Sequence, residues 1–136
     1  MIDYRTGNDL DLDEVIDVYV DSTLGERRPV DDRERMAGML REANLVITAR
    51  DGGRLVGIAR SVSDFHYATY LSDLAVRLSH QKQGIGIELI RKTRDAAPRA
   101  AIILLAAPAA AEYYPRIGFA QHQSAWILRP GEAIQG

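Results

Sequence analysis

The stretch LSDLAVRLSHQKQGIGIELIRKTRDAA, residues 71–97, constrains this chain most, because a strand, a polar loop and a helix follow one another directly. An apolar strand is predicted over 71–78, and the loop after it ends with Gly84 and Gly86. An amphipathic helix is predicted from about Ile85. Glycines where a helix begins leave backbone N–H groups accessible at its positive end, an arrangement that can hold phosphate.

Strand and helix patterns occupy most of the remaining chain. Alternating or continuous apolar runs predict strands, and apolar residues three or four apart predict helices. The predicted elements are, in chain order, a strand at 2–5, helices at 12–19 and 32–43, a hairpin of strands at 45–50 and 54–62, the central strand at 69–78, the helix at 85–97, a strand at 101–106, a short helix at 108–114 and one or two strands within 119–129.

Two local patterns near the end of the chain carry further predictions. The strand at 101–106 is apolar throughout, which is typical of a strand buried on both faces. Gly118 followed by Phe119 predicts that the short helix ends in a left-handed glycine with a hydrophobic contact behind it.

The order of the elements predicts an α/β (α+β) fold with a mixed sheet. A hairpin joins antiparallel neighbours, whereas a strand, a helix and a second strand in succession form a parallel pair. We therefore expect a mostly antiparallel sheet with one parallel pair, 71–78 and 101–106, flanked by about four helices. No linker or repeat divides the 136 residues, so we expect a single domain over 1–136.

The composition argues against several classes of function. The formal net charge is −2, so we expect no long-range attraction to nucleic acid or to an anionic membrane. The absence of cysteine excludes disulfides, thiol catalysis and cysteine-ligated metal. The histidines are scattered, so we expect them to be solvated and to form no metal site: His66, His80 and His122. The charged first residues contain no leader-like apolar run, and we expect a cytoplasmic protein.

The hexapeptide QKQGIG at residues 81–86 indicates phosphate binding. Its glycines let the backbone approach a bulky anion, the dipole of the following helix favours negative charge, and Lys82 adds a mobile cation. It lacks the Gly-Lys-Ser/Thr of a nucleoside triphosphate loop, and the three-glycine dinucleotide fingerprint is absent. Alone, the hexapeptide fits either a phosphate site or a tight strand-to-helix turn.

Two stretches together resemble one known family. LAVRLSHQKQGIGIELI, residues 74–90, is similar to the acetyl-CoA-binding motif of the GNAT superfamily of N-acetyltransferases, in which Gln/Arg-x-x-Gly-x-Gly/Ala follows a Leu-x-Val strand. ILLAAPAAAEYYPRIGF, residues 103–119, resembles the strand and helix that follow in that family and usually end in Tyr-x-x-x-Gly-Phe. The predicted order of elements is also that of the family.

The resemblance implies an N-acetyltransferase that moves acetyl from acetyl-CoA, its co-substrate, to a primary amine of a small molecule or peptide. It implies direct attack in a ternary complex, with the parallel strands splayed to admit the pantetheine arm. The residues that it implies for the cofactor are the backbone of Leu74, Ala75 and Val76 and the loop of Gln81, Lys82, Gln83, Gly84, Ile85 and Gly86.

Two catalytic residues are implied by their positions in the family motifs. The tyrosine four residues before the glycine of Gly-Phe protonates the departing thiolate, and Tyr114 holds that position relative to Gly118. Asp73 stands three residues before Val76, where some members that act on small amines carry an acid, so it is the candidate general base. Asp73 also fits a structural carboxylate at a strand bulge, and both interpretations stay open.

Some residues depart from the family pattern or leave alternatives. Ala107 replaces an asparagine that often contacts the cofactor arm, and Pro115 follows Tyr114 directly. These departures leave a second hypothesis, a non-catalytic acyl-CoA-binding sensor or regulatory module on the same fold. In the loop at 21–30, where the family normally sets acceptor specificity, acidic residues and arginines point to opposite acceptor charges. A homodimer through the last strand or through 108–117 is compatible with the sequence.

Overall fold

The computed structural model describes residues 1–136 and contains one mixed sheet of five strands in the order β1-β2-β3-β4-β5. The strands are β1 (Ile2–Thr6), β2 (Leu45–Asp51), β3 (Arg54–Ser63), β4 (Ala68–Val76) and β5 (Ala101–Ile103). The helices are α1 (Leu12–Asp21), α2 (Arg33–Glu42), α3 (Ile85–Ala96) and α4 (Tyr113–Arg116), and short 3₁₀ turns occupy Leu24–Arg27, Leu78–His80 and Pro108–Ala110. β4 and β5 are parallel and the other neighbours antiparallel, so the predicted fold class is confirmed.

The chain forms two compact units. The first, Met1–Leu105, contains the whole sheet and α1 to α3, and the second, Ala106–Gly136, contains α4. None of the helices is both long enough and apolar enough to cross a bilayer. The prediction of a single domain stays a prediction.

The first two helices pack on one face of the sheet. Each begins at an aspartate whose side chain accepts a bond from the backbone three residues on, Asp11 from Glu14 and Asp32 from Arg35. Their apolar stripes meet the sheet in one buried cluster, which contains Val15, Val18, Tyr19, Met36, Leu40, Ile58 and Ala75. This face holds the junction of α1, α2, β3 and β4.

The opposite face of the sheet is covered by α3, which approaches β3 closely. A methyl group on Gly57 would lie 3.2 Å from side-chain atoms of both Ile85 and Leu89, so glycine at this position permits the contact. Leu89 is fully buried and Ile85 nearly so. The first turn of α3 is therefore fixed against the sheet, directly after the predicted phosphate loop.

A bulge divides β4 into two halves. Arg60 of β3 pairs with Asp73, but the next residue of β3, Ser61, pairs with Leu71, so Ser72 has no partner. Because one residue is skipped, the side-chain alternation inverts. Leu71 lies on the face that α3 covers, whereas Asp73 points into the face covered by α1 and α2.

The predicted strand at 101–106 is shorter and more exposed than expected. β5 ends at Ile103, and its ladder with β4 joins only Ala68 to Ala101, Thr69 to Ile102 and Tyr70 to Ile103. Ile103 is 53% exposed, so the expectation of burial on both faces is wrong. β5 is the edge strand of the sheet, and an edge strand has a pairing neighbour on one side only.

Two predictions for the second unit are also wrong. The helix expected at 108–114 is instead a 3₁₀ turn at Pro108–Ala110 followed by α4, which has a single turn. The strands expected within 119–129 are absent, and Trp126 is 91% exposed. The apolar residues there have strand propensity, but propensity becomes a strand only where a ladder partner is present.

Candidate active site

The edge of β4 that faces β5 is open beyond the bulge. The ladder with β5 stops at Tyr70, whereas β4 continues to Val76. On its other edge, β4 remains paired with β3 as far as Val76. The two parallel strands thus pair at one end only, and one side of the stretch 71–76 has no neighbouring strand.

The direction of the β4 peptides follows from one bond. The backbone N–H of Arg77 donates to the carbonyl of Val56 at 2.8 Å, which makes this a hydrogen-bonded pair of the antiparallel ladder. Such pairs alternate, so Ala75 points its peptide groups at β3, while Leu74 and Val76 point theirs at the open edge. The structure therefore presents Leu74 and Val76 for backbone contacts and does not support such a contact for Ala75.

Gln81 links the loop back to this edge. Its side-chain amide donates to the carbonyl of Val76 at 2.9 Å, so that carbonyl is already occupied. Both peptide groups of Leu74 and the N–H of Val76 remain as the polar groups of the open edge. Gln83 makes a comparable local bond, from its side-chain amide to the carbonyl of Ser79 at 3.3 Å.

The loop before α3 presents backbone donors. The first bond of α3 runs from the N–H of Glu88 to the carbonyl of Gly84, and the N–H groups of 85–87 precede it and lack an intrahelical acceptor. No turn or loop bond uses an N–H of 82–84 as donor. Gly84 caps the helix at φ +82°, a left-handed conformation that favours glycine. The loop therefore offers consecutive donors at the positive end of a helix.

The remaining loop residues differ in what they can offer a ligand. The side chain of Ile85 is buried against the sheet, so only its backbone N–H can contact a ligand. Lys82 is exposed and stands at φ +62°. Around Gly86, the atom nearest to an added methyl would be Cγ2 of Val76 at 4.0 Å, so the space above the loop is open. An open strand edge followed by free N–H groups fits a ligand that carries amides and then phosphates, as CoA does.

Asp73 is the centre of a buried polar cluster. One oxygen, Oδ1, accepts from Nε of Arg28 at 2.6 Å and from the hydroxyl of Ser72 at 3.1 Å. The other, Oδ2, accepts from the hydroxyl of Tyr19 at 2.6 Å and from Nε of Arg60 at 2.5 Å. We call these five residues the Asp73 cluster. A carboxylate has about four acceptor positions, and here all of them are filled.

The electrostatics of the cluster favour an ionised Asp73. Burial alone would raise the pKa of this carboxyl, but the bond and charge of Arg60, with help from Tyr19 and Arg28, hold the pKa below its ordinary value. A low pKa and filled acceptor positions make the group a poor proton acceptor. Of the two interpretations that the sequence left open, these contacts favour the structural one.

Tyr114 lies in the second unit, where a Schellman motif fixes it. The N–H of Phe119 donates to the carbonyl of Tyr114 at 3.0 Å, and that of Gly118 donates to the carbonyl of Pro115 at 3.2 Å. Gly118 has φ +104°, and the rings of Tyr114 and Phe119 meet edge to face with centroids 5.5 Å apart. The predicted left-handed helix end with its hydrophobic contact is confirmed.

The surroundings of Tyr114 keep its phenol protonated. Burial raises the pKa of this half-buried group, and the neighbouring Tyr113 adds to the rise. Pro115 does not disturb α4, because it lies in the first turn, where backbone N–H groups have no intrahelical acceptor. Ala107, where the family often has asparagine, offers no side-chain donor and adopts an extended backbone before the 3₁₀ turn.

Sequence reasoning missed several residues that hold the site in place. Arg77 is buried and donates to the carbonyl of Leu55 and to Asp17 of α1, both at 2.7 Å, so it fixes the end of β4. His80 was expected to be solvated, which is wrong: its side chain is 17% exposed and Nε2 lies 2.8 Å from Asp51. These partners are 22 to 60 positions away in sequence, so no local pattern could reveal them.

The family comparison agrees with this geometry. Residues 20–127 match the family model described as an acetyltransferase (GNAT) domain. No curated protein sequence matches the chain significantly. The described residues contain no group of three or more histidines and carboxylates that could hold a metal ion.

Solved structures give similar folds. A GNAT-family acetyltransferase from Streptococcus pneumoniae is 25% identical, with a TM-score of 0.76 over 95% of this chain and 99% of the other. An aminoglycoside N-acetyltransferase in complex with CoA is 16% identical, with a TM-score of 0.73 over 95% and 94%. A transcriptional regulator from Bacillus halodurans is 19% identical, with a TM-score of 0.70 over 95% and 98%.

The last two similarities show a shared fold and no more. The family model is the stronger finding, because it spans most of the chain and includes both the open β4 edge and the loop before α3. On this evidence the chain belongs to the GNAT acetyltransferase family.

Proposed function

We propose that this protein is an N-acetyltransferase that transfers acetyl from acetyl-CoA to a primary amine of a small molecule or peptide. The observation that carries the proposal is the open edge of β4 at Leu74 and Val76, followed at once by the free donors of 82–87. A family of acetyl-CoA-dependent enzymes supplies the chemistry that this geometry serves.

Acetyl-CoA supplies the activated acetyl thioester. In the proposal, the peptide groups of Leu74 and Val76 bind the amide-bearing arm, and the N–H groups of the loop Gln81–Gly86 bind the pyrophosphate. An N–H at the open edge also donates to the thioester carbonyl, where negative charge develops during attack. The donors come from backbone fixed by β3 and α3, so they need little rearrangement when charge develops.

Tyr114 is proposed as the general acid. The amine nitrogen bonds to the acetyl carbon, the carbon–sulfur bond breaks, and the phenol gives its proton to the departing sulfur. The raised pKa of Tyr114 keeps that proton in place at neutral pH. The chain has no cysteine that could carry the acetyl group as an enzyme thioester, so the proposed amine attacks acetyl-CoA directly.

Asp73 is proposed to hold the bulge of β4 in place and to take no part in proton transfer. Its acceptor positions are filled by Arg28, Arg60, Tyr19 and Ser72, so the proton that the attacking amine loses goes to water. The cluster instead holds the bulge of β4, one residue before Leu74. This keeps the open edge in register with its neighbours.

The test compares Tyr114→Phe with Tyr113→Phe as a matched control, because Tyr113 is adjacent, aromatic and 39% exposed. We expect kcat of Tyr114→Phe to fall about 100-fold, with KM for acetyl-CoA unchanged, because general acid catalysis contributes on this order. Thiol release from acetyl-CoA with an amine panel measures both constants. Equal turnover of the two variants would remove Tyr114 from the mechanism.

A second candidate is a non-catalytic acyl-CoA-binding module. Ala107 lacks the amide expected at its position, and Asp73 has no free acceptor position, and both features favour binding without turnover. Calorimetry with CoA and thiol release with amines separate the two. Binding of CoA with no thiol release across polyamines, aminoglycosides, amino acids, amino sugars and N-terminal peptides would favour the module.

A further inference from the structure

We infer that the acceptor amine carries a carboxylate or phosphate group, which binds at Arg28. The inference rests on the proposed function and names the class of acceptor that this site takes. It starts from the charge of the Asp73 cluster. Two guanidinium groups, those of Arg28 and Arg60, share the single carboxylate of Asp73.

No other member of the cluster balances the second guanidinium. Burial and the charge of Asp73 raise the pKa of Tyr19 well above its ordinary value, so its phenol is neutral. Ser72 is neutral as well. The cluster therefore carries a net charge of about +1 in a largely buried place, and a buried charge without a partner is costly.

The unbalanced charge is accessible at Arg28. A guanidinium has five N–H donors. Arg28 uses three known bonds, to Asp73, to the carbonyl of Ser72 at 2.6 Å and to that of Arg27 at 2.8 Å. Its side chain is 20% exposed, against 10% for Arg60. Arg28 thus keeps free donors at the surface, and a guanidinium fork matches carboxylate and phosphate geometry.

The position of Arg28 suits an acceptor. Its bond to Ser72 places the guanidinium at the bulge of β4, two residues before Leu74, whose peptide groups are proposed to face the thioester arm. Consecutive Cα atoms are 3.8 Å apart, so the two sites are separated by about 7 Å along the strand. A small acceptor can reach from one to the other.

The surface beside the cluster is apolar and aromatic. Val62 and Tyr70 pair across β3 and β4 on the face that carries Arg60, and they are 49% and 40% exposed. An acceptor with a short carbon chain between amine and anionic group could pack here.

The acidic side chains in and next to the acceptor loop do not compensate Arg28. Glu26, Asp31 and Asp32 are exposed, and none of them forms an ion pair with Arg28, whose carboxylate partner, Asp73, is shared with Arg60. Polycationic acceptors such as aminoglycosides carry several ammonium groups, which Arg28 would repel. The fold is shared with an aminoglycoside acetyltransferase, but the charge at this position favours the opposite kind of acceptor.

The first experiment titrates the CoA-loaded protein with matched pairs by calorimetry. Glycine and alanine are compared with their amides for the carboxylate, and phosphoethanolamine with ethanolamine for the phosphate. We expect at least one anionic member to bind about tenfold more tightly than its neutral partner, with the difference shrinking as salt is raised. Tighter binding of spermidine or neamine than of every anionic member would overturn the inference.

The second experiment assigns the preference to Arg28. In Arg28→Gln we expect the anionic preference to fall about tenfold, in Arg28→Lys to fall less, and in the control Arg27→Gln to stay unchanged. An unchanged CoA affinity shows that each variant is folded. If Arg28→Gln does not fold, Arg28→Lys and the wild-type pairs still decide. A preference that survives in Arg28→Gln would overturn the assignment.

The outcomes separate the two proposals. Thiol release with a polyamine preferred over every anionic amine would contradict this inference and keep the N-acetyltransferase. Binding of an anionic amine without any thiol release would support the anion site at Arg28 and contradict the N-acetyltransferase, leaving the amine a ligand and not an acceptor.

Discussion

The Asp73 cluster and the loop at 81–86 lie at opposite ends of one half of β4, and they treat polar groups in opposite ways. In the cluster, a fully buried carboxylate has every acceptor position filled by side chains from α1, the following loop, β3 and β4 itself. In the loop, consecutive backbone N–H groups have no hydrogen-bond acceptor within the chain.

The comparison distinguishes polar groups that stabilise the fold from polar groups that are left available to bind a ligand. A buried charge must be paired within the protein, because an unpaired one is costly. Unpaired donors persist where a ligand or water can satisfy them, as at a helix N-terminus. An acidic residue on a conspicuous strand is therefore a weaker sign of catalysis than a glycine in a loop that leaves donors free.

The largest expected effect tests the structural side of this comparison. Replacing Asp73 with alanine leaves the buried Arg60 and the partly buried Arg28 without a counter-charge, and we expect the free energy of unfolding to fall by about 3–5 kcal/mol. Urea denaturation measures it, with the exposed Asp31→Ala as the control. A stable Asp73→Ala protein that has lost turnover would return Asp73 to the role of general base.

We also expect the stability of the wild-type protein and that of Asp73→Ala to depend differently on pH. Because the folded pKa of Asp73 is lowered, its stabilisation is fully present above the unfolded pKa of about 3.9 and is lost as the pH falls through the folded value. Wild-type stability should therefore decline more steeply below about pH 4 than that of Asp73→Ala. Parallel pH profiles would show that the carboxylate is not ionised in this cluster.

A smaller effect tests the functional side. Gly84→Ala places a side chain at φ +82°, which we expect to lower the free energy of unfolding by about 1–2 kcal/mol and CoA affinity about tenfold. Gly86→Ala is the matched control, because it lies within α3 with its nearest neighbour 4.0 Å away, and alanine favours helix. Equal losses in both variants would show that the left-handed cap is not what shapes the loop.

The smallest effect concerns a turn outside both regions. Oδ1 of Asp64 accepts backbone bonds from Tyr67 at 2.7 Å, His66 at 2.9 Å and Ala68 at 3.1 Å, which lower its pKa to about 2. NMR titration should find this carboxyl ionised down to about pH 2, with the turn loosening only below it. Asp64→Asn, which keeps an acceptor but cannot ionise, should show no such transition. An ordinary carboxyl titration near pH 4 would contradict these bonds.

Local sequence predicted the first unit well, because its signals are local. The Asp51-Gly52-Gly53 turn defines the hairpin, the 3.6-residue period defines α3, and a strand, a helix and a strand define the parallel pair. The left-handed end of α4 was equally predictable from local sequence, since a Schellman motif is encoded within six residues.

The sequence could not predict which residues far apart in the chain contact each other. Arg28 and Arg60 were not recognisable as partners of Asp73, which lies 45 and 13 positions away. The length of β5 depends on its neighbours, and the apolar residues at 119–129 have strand propensity without a ladder in this structure. The roles of Tyr114 and of the loop residues rest on family position and await the variants above.

The unpaired Ser72 is one extra residue in β4, and it inverts the side-chain alternation between the two halves of the strand. Before it, Thr69 and Leu71 face α3; after it, Leu74 and Val76 do. Because Ser72 is the extra residue, deleting it would leave Leu71 opposite Ser61 and Asp73 opposite Arg60, each on its present face, in a ladder without a bulge. Adding or removing one residue elsewhere in the paired part of β4 would instead turn one half of the strand over relative to the other, so the strand can change in composition far more freely than in length.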